Sequence, residues 1–254
     1  MNPIGERLAV ARAAADAAAG VIKGFTDGGF KTEQKADGTP VTEADVAAER
    51  VIIEVIRAQF PNDAILGEET GRHGDSDVLW LIDPIDGTKS FVRGYPFFST
   101  QIGVQIEGQL VAGVSAAAHY DQIAWADGTG AFLNGDRLRC STVSDISQAS
   151  ISIGNIASLA RSPAWSNLGA ILAAANRTRG YGDFLHYHML AAGQIDAVIE
   201  SDVNILDIAA LKVVVEQAGA LMTQLDGQPI NLQSTTVLAA PAALHARLLV
   251  AINA

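Results

Sequence analysis

The chain holds a single cysteine, Cys140, among 254 residues. No intrachain disulfide can form, which fits a reducing compartment, and a cytoplasmic location is expected. Arg139 could lower the Cys140 pKa, but no histidine stands near it in sequence, so thiol catalysis is not expected. Soft-metal spacings are missing too: there is no CxxC and no HxxxH. His186 and His188 would point in different directions on a helix, which argues against a shared metal. No GxxxxGK[ST] segment is present, which speaks against a P-loop kinase. Basic residues are scarce, 17 Lys and Arg against 28 Asp and Glu, for a net charge of −11. Nucleic acid is therefore not an expected partner, because phosphate backbones are gripped by basic patches. No apolar run reaches the roughly 18 residues that would suggest a membrane span. Glu6, Arg7 and Arg12 interrupt the apolar N-terminal stretch, so a signal peptide is not expected.

What is present is a large core and a strong acidic field. Hydrophobic residues make up 49% of the chain, enough for one large domain or two modest ones. Such a field repels anionic substrates unless bound cations reverse it locally.

Ile4, Leu8, Ala11, Ala15, Ala18, Ile22 and Phe25 recur at helical spacing and predict an amphipathic helix with an alanine stripe for close packing. Residues 26–41 are polar and read as an exposed loop. Thr42 is placed to cap a second helix, with Asp45 in its first turn and Val51, Ile52, Val55 and Ile56 turned inward. Residues 99–133 read as strands, with Glu107-Gly108-Gln109 as a hairpin turn. Alternating helices and strands follow, which together predict a layered α/β architecture. A boundary near residue 145 is expected, giving units 1–145 and 146–254.

The most informative stretch is Trp80–Ser99, WLIDPIDGTKSFVRGYPFFS. An apolar run, Val78–Ile82, drives into Asp83-Pro84-Ile85-Asp86-Gly87-Thr88. A charged pair at the end of a buried strand is costly unless it is paired or coordinates a metal. Pro84 stiffens the turn, Gly87 permits close backbone approach, and Thr88 offers a hydroxyl where a helix or turn begins. A lone DxxD is commonly just an Asx-rich turn. Here, however, Gly67-Glu68-Glu69 lies upstream after Ala64–Leu66, while Glu200 and Asp207 lie downstream after Val198-Ile199. Acidic residues at several strand exits suit a hard divalent cation held by oxygen, beside an amide cradle for an anion. Paired carboxylates could instead serve a glycosidase, but an amide cradle suits phosphate better than a sugar.

The stretch WLIDPIDGTKSF resembles the DPIDGT signature of the inositol monophosphatase family. Gly67-Glu68-Glu69 resembles its upstream acidic motif, and Asp207 in NILDIAALKVVVEQAGA its downstream one. Leu206 stands where many members carry Trp. The resemblance implies a five-layer αβαβα sandwich of the inositol monophosphatase and fructose-1,6-bisphosphatase type. It also implies magnesium-dependent hydrolysis of a phosphate monoester by activated water, with two or three Mg2+ per subunit, Mn2+ being an alternative. Two cations about 3.5–4 Å apart would neutralise phosphoryl charge and ionise the water.

On that resemblance Glu68, Asp83 and the Ile85 carbonyl match ligands of one metal, and Asp83, Asp86 and Asp207 those of a second. Glu68 and Thr88 would orient the water, and Asp45 would hold the Thr88 hydroxyl. The Gly87 and Thr88 amides would grip phosphate. Glu69 is a weaker candidate, as an outer orienting group. Lys35 and Asp37 fall in a segment that closes over the site in the family, and Asp37 could help hold a third metal. A homodimer is likewise implied.

For the substrate, Lys89-Ser90-Phe91 and residues 179–187, RGYGDFLHY, resemble the histidinol-phosphate phosphatase branch. Asp183 and Glu200 align with residues contacting the substrate's organic part, and would suit an amine and an imidazole. Asp183 read on its own could equally be a helix cap. The alternatives are an inositol-1-monophosphatase, a related sugar or nucleotide phosphatase, a catalytically silent metal- or phosphate-binding relative, and a scaffold that acts only through dimerisation.

Overall fold

The computed structural model describes residues 3–34 and 40–254. Lys35 and Asp37 lie outside the described residues. Two compact units are formed, 1–136 with 206–214, and 137–205 with 215–254. The polar stretch Ser141–Ala149 suggests a single cut near residue 145. The first unit instead recruits Leu206–Val214 from far downstream, a return that local composition does not announce.

In the first unit, an eight-stranded sheet runs in spatial order Asp136–Arg137, Ala131–Leu133, Gln122–Ala126, Gln109–Ala117, Ser99–Ile106, Val78–Asp86, Ala64–Gly67 and Gly71–His73. Ala64–Gly67 pairs parallel to Val78–Asp86, and Val78–Asp86 pairs antiparallel to Ser99–Ile106. The hairpin turn falls at Glu107 and Gly108, both at positive φ (49° and 79°), the backbone of a type I′ turn.

Helix Pro3–Gly28 buries Leu8, Ala11, Ala14, Ala15, Ala18 and Ile22. Its small side chains let it lie close to helix Glu43–Gln59, and both helices cover the sheet. The first helix runs to Gly28, and short strands Thr32–Gln34 and Pro40–Thr42 pair antiparallel, where polarity alone predicts loop. Arg7 forks onto Asp63 at 3.0 and 3.2 Å, and the Trp80 indole N–H donates to the same carboxylate at 3.0 Å. Thr42 caps the second helix as expected: its hydroxyl accepts the amides of Ala44 and Asp45, and the Asp45 carboxylate accepts the Thr42 amide at 2.7 Å.

Strand alternation gives this sheet two faces. Trp80, Ile82, Ile102, Val104, Ala112 and Val114 join the core beneath the two helices. Gly103 and Gly113, paired across neighbouring strands, look the other way. There the helix Ile205–Gln217 is seated: a Cβ on Gly103 would stand 2.9 Å from the Ala209 Cβ, and one on Gly113 would stand 2.5 Å from the Ala210 carbonyl oxygen.

The second unit holds a five-stranded sheet in the order Arg177–Arg179, Ser150–Ile153, Ala197–Ser201, Thr236–Pro241, Ala220–Thr223. Ile151, Ile153, Ala197, Ile199, Leu238 and Ala240 pack with Leu168, Ile171, Leu244 and Leu248 of helices Trp165–Ala174 and Ala242–Ile252. Helix Asp183–Ala191 meets the opposite face through Ser152 and Glu200. The expected layering of helices on mixed sheets is present in each unit. No helix among the described residues is long and apolar enough to cross a membrane.

The glycine seat generates a stability prediction. Gly113→Ala forces its methyl into backbone that cannot swing aside, and is expected to cost about 1–3 kcal/mol. Gly169→Ala, inside helix Trp165–Ala174 with nothing within 4 Å of the added carbon, is expected to stabilise by about 0.5–1 kcal/mol. Denaturant unfolding of both variants checks the pair, and an unperturbed Gly113→Ala protein would remove the seat.

Candidate metal centre and active site

Two aspartates three residues apart on a regular strand point to opposite faces. Asp83 and Asp86 escape this because the ladder slips between them. Asp83 pairs with Gln101 and Asp86 with Ser99, so three steps on one strand oppose two on its partner. This bulge turns both carboxylates to one face. The face is that of Gln101 and Gly103, where the helix of Asp207 is seated. Seated there, Asp207 in the helix's first turn joins them, and carboxylate oxygens of Asp83, Asp86 and Asp207 lie within 4.8 Å of one another. An acidic side chain in a first helical turn also sits well with the helix dipole.

Glu68 arrives from the neighbouring strand. Ala64–Gly67 runs parallel to the Asp83 strand, and the Glu68 amide donates to the Ile82 carbonyl at 3.1 Å. Its carboxyl comes within hydrogen-bond reach of Asp83. The Asp83 pKa is pushed well above the usual carboxylate range, first by burial and then by the charges of Glu68, Asp86 and Asp207. Asp83 is 2% exposed, so water does not relieve this repulsion. An all-oxygen donor set gathered around a buried carboxylate fits a hard divalent cation.

The turn after the bulge is tightly specified. Gly87 has φ +91°, and a Cβ there would run into the Phe97 carbonyl oxygen. It opens the short helix Thr88–Val92. The Thr88 hydroxyl lies 3.0 Å from the Ile85 carbonyl and 3.3 Å from the Asp45 carboxylate. It has one proton for these two acceptors; the carbonyl is nearer and the carboxylate more basic. Burial raises the Asp45 pKa, while the bonds from Thr42 and Thr88 pull it down. The structure thus brings Asp45, Glu68, Asp83, Ile85, Asp86, Gly87, Thr88 and Asp207 together in the first unit. Glu69 enters through its backbone, whose amide is held by Glu49 at 2.9 Å.

Glu49 and Gln101 escaped the sequence reading. Glu49 shares the buried stripe of its helix with Asp45, Ala48, Ile52 and Ile56. A glutamate on an apolar stripe was the available signal. Gln101 is fully buried behind the site; its side-chain amide donates to Ser99 and Ser115 at 2.7 and 3.0 Å, and the Ser99 hydroxyl lies 3.5 Å from Asp86.

Asp183 and Glu200 lie in the second unit. Asp183 does not cap its helix. It is the first helical residue, at φ +47°, and the N-cap is Gly182 with no side-chain cap bond. Glu200 is 4% exposed and accepts the Tyr187 hydroxyl at 2.6 Å, with His186 Nε2 3.0 Å away. His186 Nδ1 lies 3.2 Å from the Ser152 hydroxyl. His188 packs edge-on against Phe184, and burial lowers its pKa to about 3. The two histidines thus have different surroundings, as their spacing implied.

The sequence profile of the inositol monophosphatase family matches residues 5–254. The chain is 37% identical over 257 residues to a histidinol-phosphatase of Streptomyces coelicolor, covering 97% of this chain and 96% of that protein. It is 34% identical over 237 residues to an inositol-1-monophosphatase of Mycobacterium leprae, covering 87% and 81%. The solved structure of an inositol monophosphatase from Thermotoga maritima superimposes with a TM-score of 0.84 at 28% identity, covering 100% of this chain and 97% of that one.

Burial and the charge of Glu200 lift the Asp183 pKa from 3.8 to about 6, with His186 pulling the other way. The folded state therefore keeps a proton that the unfolded chain releases. That contribution to stability is complete below pH 4 and fades as the pH rises through 6. Asp183→Asn, neutral throughout, is expected to be more stable than the parent at pH 7 by up to roughly 2–3 kcal/mol, with the gain absent near pH 4. Thermal melting across that range checks it; a difference independent of pH would contradict this environment for Asp183.

Proposed function

The chain belongs to the inositol monophosphatase family, and from that premise we propose that it hydrolyses phosphate monoesters with divalent cations, histidinol phosphate being the preferred substrate. The observation that carries the hydrolase reading is the convergence of Glu68, Asp83, Asp86 and Asp207 beside the Gly87–Thr88 turn. Asp83, Asp86 and Asp207 would hold one cation, and Asp83, Glu68 and the Ile85 carbonyl another. Magnesium is proposed, with a third ion near Asp37 left to the same resemblance. When bound, such ions neutralise phosphoryl charge and make water nucleophilic near neutral pH.

The chain's own groups do the positioning. Glu68 accepts a proton of the attacking water and fixes its direction. The Thr88 hydroxyl, its own proton directed to Asp45 Oδ1, accepts a second hydrogen bond from that water. The amides of Gly87 and Thr88 donate to the phosphoryl oxygens at the opening of the short helix. The water oxygen bonds to phosphorus as the ester P–O bond breaks; the departing alkoxide takes a proton from solvent water, and Glu68 returns its proton to solvent. Asp83 is kept for charge and geometry rather than proton transfer.

The choice of substrate rests on relatives named histidinol-phosphatase at up to 37% identity, and on the acids of the second unit. Histidinol phosphate carries an amine and an imidazole, and Asp183 is proposed to meet the cationic part. Glu200, already engaged by His186 and Tyr187, would act alongside it as a fixed negative charge. A homodimer in a cytoplasmic setting is proposed on the same resemblance.

Asp83→Asn is expected to lower kcat by at least about a thousandfold with magnesium present, since it removes the shared carboxylate. Persistent turnover would argue against the ion assignment. In a panel of phosphate monoesters, histidinol phosphate is expected to show the highest kcat/KM. A higher value for inositol phosphate would reverse the substrate choice and leave the hydrolase reading in place. No phosphate release from any ester by the wild-type protein would favour a silent binding relative.

A further inference from the structure

Glu49 is a carboxylate with no solvent exposure, on the apolar stripe of helix Glu43–Gln59. A buried charge of this kind is expensive unless its oxygens are well bonded. Both are: Oε2 accepts the Glu69 amide at 2.9 Å, and Oε1 accepts the Thr70 amide at 2.8 Å. These are charge-assisted bonds, among the stronger ones available to a turn. The approach is possible only because residue 67 is glycine; a Cβ there would stand 2.5 Å from Glu49 Oε1. Gly67 does not need its freedom of φ, so its role is room for the carboxylate. The two bonds tie a buried side chain of helix Glu43–Gln59 to the backbone that follows Gly67. What they achieve is to fix one turn in one place.

That turn carries Glu68. On one side the Glu68 amide is tied to Ile82, next to Asp83; on the other the two following amides are tied to Glu49. The carboxylate oxygens of Asp83, Asp86 and Asp207 cluster together, and Glu68 meets that cluster at Asp83. We infer that Glu49 is a positioning residue: by clamping the amides of Glu69 and Thr70 it fixes the Glu68 carboxylate against Asp83, and so governs the cation position built on Glu68 more than the one that Asp86 and Asp207 complete. The inference rests on the ion-binding reading proposed above, but not on the identity of the substrate.

The experiment approaches the contact from both sides. The full-length protein, stripped with chelator, is titrated with Mn2+, and free Mn2+ is followed by electron paramagnetic resonance. Circular dichroism confirms folding of each variant. The wild type is expected to show two classes of site. Glu49→Ala frees the turn, and Gly67→Ala pushes the carboxylate off it. Each is expected to weaken one class by at least tenfold and leave the other within twofold. The double variant should bind no worse than Glu49→Ala alone, because the added methyl then has nothing to displace. Glu49→Gln keeps the shape but offers an NH2 to one of the two amides, so it should fall between wild type and Glu49→Ala; it carries the test if Glu49→Ala does not fold. Isotherms that superimpose on wild type, equal weakening of both classes, or additive losses in the double variant would each overturn the role of Glu49. A wild-type protein that binds no Mn2+ would instead overturn the ion site itself.

Discussion

Repulsion of one buried carboxylate, Asp83, by its half-buried acidic neighbours is the constraint on which the first unit depends. Asp83 is almost without solvent, and the charges that bear on it come from Glu68, Asp86 and Asp207. Left alone, a chain with net charge −11 would spread such groups over its surface. Holding them together requires a scaffold whose own packing outweighs the repulsion, and the cation proposed above would turn that repulsion into attraction.

The scaffold uses three unrelated devices for three directions of approach. A bulge between Asp83 and Asp86 converts an odd spacing into a shared face. A pair of glycines, Gly103 and Gly113, lowers the helix of Asp207 onto that face through Ala209 and Ala210. A parallel strand and a buried glutamate present Glu68 from the side. The first two devices use backbone and close packing alone, and the third adds one buried side chain, Glu49. The result is a preorganised oxygen cage, which matters because ligands that must be collected on binding cost entropy.

Much of this arrangement was legible in the chain. The Asp83–Thr88 run, Glu68 and Asp207 stood at strand exits or a helix start, where acids are conspicuous. Thr42 announced a helix cap with Asp45 in the first turn, and Glu107-Gly108-Gln109 a hairpin. The alanine stripe of the first helix marked its buried face. What escaped notice has a common physical character. The Asp83/Asp86 bulge is a relation between two strands, and neither sequence alone states it. Gly103 and Gly113 have no turn to make, and their importance lies in a helix roughly a hundred residues away. Glu49 resembles an ordinary helical acid until its neighbours at helical spacing prove to be buried. Aspartate is a common helix cap, yet Gly182 rather than Asp183 fills that position. The boundary near 145 followed a polar stretch, whereas the chain returns to its first unit at Leu206.

The central claim is that this acidic cluster exists to be neutralised by divalent cations. Crystals of the protein grown with manganese, with anomalous differences collected at the metal edge, test it most directly. The account predicts strong anomalous peaks bonded to Asp83, Asp86 and Asp207, and a second against Glu68. A map without such peaks, with lysine or arginine side chains turned onto these carboxylates, would contradict it.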